Sequence, residues 1–148
     1  MATSRRSDII NLLVTELKKI DGGTSDFDSS YTFNTNLSNN VERKIRFLDE
    51  VNDFPSLYLA AGTEIRDSQN LTTATLDATI RAYVFSDDES QDKMDDLIQD
   101  IEHVIYRIGD NSDKGIQEIS ISNISVDEGL FAPYGLSEIE VTIDYILV

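Results

Sequence analysis

The sequence predicts an α+β fold: a two-layer sandwich in the order α-β-β-β-α-β-β, with two helices on one face of a mostly antiparallel or mixed sheet. Three observations carry this. Two segments space their apolar residues by three and four, as amphipathic helices do. Later segments alternate apolar and polar side chains, as half-buried strands do. No internal repeat or linker divides the 148 residues, so 1–148 reads as a single domain with a polar insertion at about 21–40.

The first helix is expected from Ser4 or Ser7 to Ile20. Ile9, Ile10, Leu13, Val14, Leu17 and Ile20 make one apolar face, with Lys18 and Lys19 at the cation-favouring end and Gly22–Gly23 as the stop. The polar stretch "DGGTSDFDSSYTFNTNLSNN" holds at most one short strand, near Tyr31–Thr35. Next comes "VERKIRFLDEVNDFP", whose Arg43, Lys44 and Arg46 form the densest basic cluster in the chain. Pro55 favours extended backbone before it, and a strand follows in "SLYLAAGTEIR". Asp67–Asn70 reads as a hairpin tip.

The strand Leu71–Phe85 alternates most clearly. Leu76, Ala78, Ile80, Ala82 and Val84 share one face; Asp77, Thr79, Arg81 and Tyr83 share the other. In the second helix Met94, Leu97, Ile98, Ile101, Ile105 and Ile108 form the apolar stripe, and Gly109 closes it. In "IQEISISNISV" the apolar phase slips after Ile121, which predicts a bulge near Ser122–Asn123. The last strand lies in "LSEIEVTIDYILV", after the loop "DEGLFAPYG". Asp77, Arg81, Glu138, Glu140 and Asp144 are expected on the sheet's second face, wet or used for contacts.

Composition narrows the function. Acids outnumber bases 28 to 12, a net charge of −16, which disfavours the clustered cations that ordinary DNA binding needs. Without cysteine there are no disulfides, thiolate metal sites or cysteine nucleophiles. No run is long and apolar enough for a membrane span, and the basic start lacks an apolar signal core, so the chain is expected to remain where it is made. The glycosylation-type sequons at Asn36, Asn70 and Asn123 then read as chance matches.

Catalytic and cofactor equipment is not expected. The sole histidine, His103, lies off the apolar stripe and is expected in solvent rather than acting as a base. No phosphate loop, nucleophile elbow, dinucleotide fingerprint or zinc pattern occurs. "DNSDKGIQEISI", from Asp110, has Lys114 and Ile121 where a calcium loop needs oxygen ligands. Eight acids fall between Asp87 and Glu102. Ser86 with Glu89 forms a capping box, Asp88 with Gln91 offers a second register, and the first acids suit the positive helix end. Asp95, Asp96, Gln99, Asp100 and Glu102 are expected to face water with His103. A solvated helix face thus accounts for the cluster without a metal.

The opening helix, the strand "LYLAAGTEI", the strand "TATLDATIRAYVF", the acidic cap with helix "DKMDDLIQDIEHVI" and two closing strands follow one another in a telling order. From Ser7 to Val148 the chain resembles the tail terminator (tail completion) proteins of long-tailed bacteriophages, and the related neck and head–tail joining proteins. The resemblance implies a structural virion protein, assembled in the host cytoplasm, that forms a ring, commonly a hexamer, on the last ring of the tail tube. The ring would stop tube growth and face the neck, with DNA crossing its lumen as a non-specific passenger. The implied partners are the chain itself, the tube protein and a neck or head-closure protein, with no membrane and no cofactor. Arg43, Lys44 and Arg46 are then expected against Asp95, Asp96 and Asp100 of a neighbour, or in local pairs with Glu42, Asp49 or Glu50. The tip from Arg66 and the loop Gly129–Gly135, with Leu130, Phe131 and Tyr134, are expected to meet tube or neck, or to fold over the core. The competing readings are a neck, head-closure or sheath-associated protein, and a small acidic module that binds a basic partner.

Overall fold

The computed structural model describes residues 5–66, 73–109 and 115–146. The expected hairpin tip Asp67–Asn70, the start of the long strand at Leu71 and the calcium-like loop from Asp110 to Lys114 lie outside them. The elements are α1 (Arg5–Leu17), β1 (Val41–Glu42), a single 3-10 turn (Leu48–Glu50), β2 (Ser56–Arg66), β3 (Thr73–Phe85), α2 (Ser90–Gly109), β4 (Ile116–Val126) and β5 (Tyr134–Ile146).

The strands form one sheet in the order β1-β2-β3-β5-β4. β1 runs parallel to β2 and the other pairs are antiparallel, so the sheet is mixed. The predicted alternation of β3 is observed: Leu76, Ala78, Ile80, Ala82 and Val84 are buried in the main core with Ile139, Val141, Ile143 and Tyr145 of β5. Ile9, Ile10, Leu13 and Leu17 of α1 and Leu97, Ile101 and Ile105 of α2 cover that face. Burying one such side chain removes enough apolar surface to contribute about 1.5–3 kcal/mol, so this stripe-on-sheet contact dominates the fold. β4 slips register between Ile121 and Asn123, where the phase change predicts a bulge, and again between Ile116 and Glu118.

Three expectations need correction. α1 ends at Leu17 rather than Ile20, because Lys19 and Ile20 already bond three residues back, to Glu16 and Leu17. The strand expected near Tyr31–Thr35 does not form; only the isolated bridges Thr24–Thr32 and Asp21–Asn36 occur there. The amides of Asn34 and Thr35 bond instead to the Asp100 carboxylate, so they cannot join a ladder. Finally, α2 begins at Ser90, after a turn over 87–89. Ser86 Oγ does accept the Glu89 amide at 3.2 Å. The amide of Ser86 goes to the carbonyl of Pro133, so the return half of the capping box has nothing to bind.

Candidate interaction surfaces

The acidic helix has two polar sides. Asp95, Asp96 and Gln99 are exposed, as are Asp87, Asp88, Glu89 and Asp92 at the start. Asp100 is not: it is fully buried, contrary to expectation. Its Oδ1 accepts hydrogen bonds from the Tyr31 hydroxyl (2.7 Å) and the Asn34 amide (3.0 Å). Its Oδ2 accepts from the Thr35 amide (2.8 Å) and hydroxyl (2.6 Å). Four donors compensate the lost hydration of the charge.

His103 belongs to the same dock and likewise does not stand in solvent. Its ring stacks on Tyr31 at 3.9 Å between centroids, with Phe27 and Phe33 edge-on. Nε2 lies 2.8 Å from Ser25 Oγ. Burial, then the nearby Arg107 guanidinium, lowers its pKa, against opposing pulls from Asp28 and Asp100. Arg107 closes the row with an ion pair to Asp28 at 3.0 Å. Burial and the Asp100 carboxylate raise the Tyr31 pKa well above the ordinary phenol value. The polar insertion is therefore clamped along α2 by one carboxylate, one imidazole and one guanidinium. Asp100, His103 and Arg107, at steps of three and four, are a second helical stripe beside the apolar one, but a polar stripe at that spacing reads in sequence as a solvated face.

The sheet's second face is partly covered. Residues that follow the basic cluster fold across it, so that Val51, Tyr58 and Tyr83 form a small second core with Leu48, Phe54 and Leu136 packed against it. The Tyr83 hydroxyl donates to the carbonyl of Arg46. Arg81 donates to Glu138 Oε1 from Nε (3.0 Å) and Nη2 (2.6 Å), beneath the ring of Phe47. Burial acts against the Arg81 charge, but Glu138 outweighs it and raises the pKa. Beside this pair lies a cleft of about 360 Å³. Its floor is the cross-strand pairs Tyr83–Leu136 and Arg81–Glu138, and Phe47, Leu48 and Val126 line it.

At the opposite end of the sheet Glu64 accepts a hydrogen bond from the Tyr145 hydroxyl and pairs with Arg66 at 3.0 Å and Arg6 at 3.8 Å. Burial pushes the Glu64 pKa up, but these donors and charges outweigh it and hold it below the usual value. Burial and Glu64 together push Tyr145 up to about 12.

The sequence-predicted residues thus fall in separate places. Arg43, Lys44 and Arg46 stand together after β1; Arg46 pairs with Glu42 at 3.2 Å and lies over Tyr58, while Arg43 reaches Ser7 Oγ at 3.4 Å. Arg66 is at the far end of β2. Asp95 and Asp96 are on the outer side of α2, and Asp100 is inside the dock. Phe131 is half exposed and Leu130 is 83% exposed. Tyr134 instead packs on Phe54 and Phe85, at 5.5 and 5.2 Å between rings. Among the described residues no group of acidic and histidine side chains is placed to hold a metal ion.

Comparison with known proteins accords with this architecture. The family described as Bacteriophage Tail Tube Terminator Protein matches residues 3–147. The chain is 30% identical to Tail tube terminator protein p142 of Escherichia phage T5, over 95% of this chain and 92% of that one. With nearly its whole length matched on both counts, the chain belongs to the bacteriophage tail tube terminator family of structural tail proteins.

Proposed function

We propose that this protein ends the tail tube as a homo-oligomeric ring, six copies in the simplest case, at the junction between tail and neck. The ring rests on the last layer of tube protein, and its other side receives a neck or head-closure protein. DNA crosses the lumen without specific binding. Assembly takes place in the host cytoplasm before the ring enters the virion. The observation that carries the reading is family membership over nearly the entire chain, which supplies the tube as partner. The net charge of −16 supports it, because a strongly acidic wall would let DNA slide past rather than adhere. Within the ring, Arg43, Lys44 and Arg46 approach the exposed acids of a neighbour, including Asp95 and Asp96; Asp100 is withdrawn from that role by its burial. Phe131 and the Arg66 end of the hairpin are the surfaces left for tube and neck.

The test is to mix the purified chain with tail tubes and follow mass and tube ends by native mass spectrometry and negative-stain imaging. Rings, free or seated on one tube end, with elongation blocked, are the expected result. A chain that stays monomeric at high concentration and leaves tube ends bare would overturn the reading. Salt-sensitive capture of a basic protein instead would favour an acidic binding module.

A further inference from the structure

We infer that copies of the chain join edge to edge: the open side of β4 in one copy pairs antiparallel with residues 59–63 of β2 in the next, so that one sheet runs on from subunit to subunit. The inference rests on the ring reading above and specifies its contact.

β4 is an unguarded edge. It is 11 residues long, with β5 on one side and, among the described residues, no strand on the other. Natural sheets blunt such an edge with charged side chains, Pro or brevity, because its unpaired backbone groups are a template for another chain. Here residues 119–126, "ISISNISV", carry neither a charge nor Pro. Residues 122–126 are all exposed, and they include Ile124 at 36% and Val126 at 46%. The bulges of β4 still leave 123–126 paired residue for residue, Asn123 with Glu140 through to Val126 with Ser137.

The other edge is open in a matching place. β1 accompanies β2 only at Leu57 and Tyr58, after which the chain crosses to the second face, where Phe47 meets Arg81. Residues 59–63, "LAAGT", have β3 on one side and no strand on the other among the described residues, and they too are uncharged. Arg6 donates to the Gly62 carbonyl at 3.3 Å from an exposed position, a bond that a neighbour's amide can replace. Charge is placed instead on the inner strands, paired on both sides: Asp77 and Arg81 on β3, and Glu138, Glu140 and Asp144 on β5. Glu118 of β4 and Glu64 and Arg66 of β2 lie beyond the two stretches, and Asp127 and Glu128 follow the end of β4.

Strand geometry selects a second copy as the occupant. Leu59 is opposite Ile80, Ile80 opposite Ile139 and Ile139 opposite Ile124; Ala61, Ala78, Val141 and Ile121 form the same kind of row. The two open stretches therefore stand at one height on opposite sides of the sheet. β2, β3, β5 and β4 alternate in direction, so β4 of one copy beside β2 of the next is antiparallel, as these four strands already are within each copy. Copies that each carry a net charge of −16 repel least where neither presents a charge. The two edges are different surfaces of one chain, so they join head to tail, and closure into a ring leaves neither exposed.

The absence of native cysteine allows a direct test. Ala60 and Asn123 share a row through Thr79 and Glu140. Two single-cysteine proteins, Ala60→Cys and Asn123→Cys, are prepared, and circular dichroism checks the fold. They are mixed, alone and on tail tubes, and joined with a short bismaleimide. Cross-linking between unlike variants, at least about tenfold above that within either variant alone, is the expected result, because paired edge residues bring their Cβ atoms to about 4.5–5.5 Å. Amide exchange over 59–63 and 119–126 should slow on assembly. Rings or capped tubes without that product and that protection would overturn the edge contact and leave the ring reading intact. Like-with-like cross-links at position 123 would indicate a twofold β4 contact, and cross-links from 123 to the tube protein would make the tube the occupant; either overturns the inference. No self-association in solution or on tubes would overturn both readings.

Discussion

Replacing Asp100 by alanine is expected to release the 21–40 insertion from α2 and destabilise the whole domain. The carboxylate is fully buried and accepts four hydrogen bonds, from the Tyr31 hydroxyl, the Asn34 amide and the amide and hydroxyl of Thr35. At about 1.5–3 kcal/mol for each bond to a charged group, simple addition overshoots, because removing the charge also removes its desolvation cost. The two hydroxyls can rotate towards water. The two amides are held by the turns around them, and each stranded donor costs about 1–3 kcal/mol. A loss of about 3–5 kcal/mol follows, large against the 5–15 kcal/mol of a typical domain. Asp100→Asn keeps the volume and one acceptor oxygen but sets an NH2 group against two donors, so about 2–3 kcal/mol is expected. Urea unfolding measures the total, and hydrogen exchange at Asn34 and Thr35 reports the local release. Asp96→Ala, on the exposed side of the same helix, is the control and should stay within about 0.5 kcal/mol of the wild type. Were Asp100→Ala to match that control, with Asn34 and Thr35 still protected, the docking argument would be refuted.

His103 has a lowered pKa, so the unfolded chain takes up a proton first as pH falls below its ordinary 6.5, and stability drops through that window; His103→Gln should flatten the fall in urea midpoint between neutral and mildly acidic buffer. Tyr145 works in reverse: its pKa rises from 10.0 to about 12, so the folded chain keeps its proton longer and stability declines as pH climbs above 10, less steeply in Tyr145→Phe by thermal melting. At Gly135 an added Cβ would lie 2.7 Å from Val84 Cγ2 and 3.2 Å from the carbonyl of Ser90, so Gly135→Ala should cost about 1–3 kcal/mol in denaturant unfolding. Asp87→Asn with Asp88→Asn should leave the melting temperature equally insensitive to millimolar calcium and magnesium, since these acids serve the helix end and not an ion; a calcium-induced rise in the wild type that the double variant loses would contradict that account.

Much of the fold was legible because apolar spacing records burial directly. Leu76 to Val84 alternate in the only register that buries them all, and the slip of apolar phase after Ile121 coincides with the register shift of β4 against β5. The insertion was illegible for the opposite reason. Its order comes from a carboxylate and an imidazole on a distant helix, and single polar residues carry no period that distinguishes water from a buried partner. Asp100 and Asp96 look alike in sequence; one accepts four hydrogen bonds and the other is solvated.

By itself the sequence determined the α+β class, the order of the elements, the helix-covered face of the sheet and a family resemblance that comparison then established as membership. Each follows from local propensity and the burial of apolar stripes, which neighbours along the chain suffice to encode. Tertiary structure alone decided that β1 forms at Val41–Glu42 and not near Tyr31, that the segment after the basic cluster covers Tyr58 and Tyr83, and that Leu130 stands in water while Tyr134 does not. Those outcomes depend on which polar donors find acceptors, and which aromatic rings find one another, across tens of residues of intervening chain. Such encounters are settled only when the layers close.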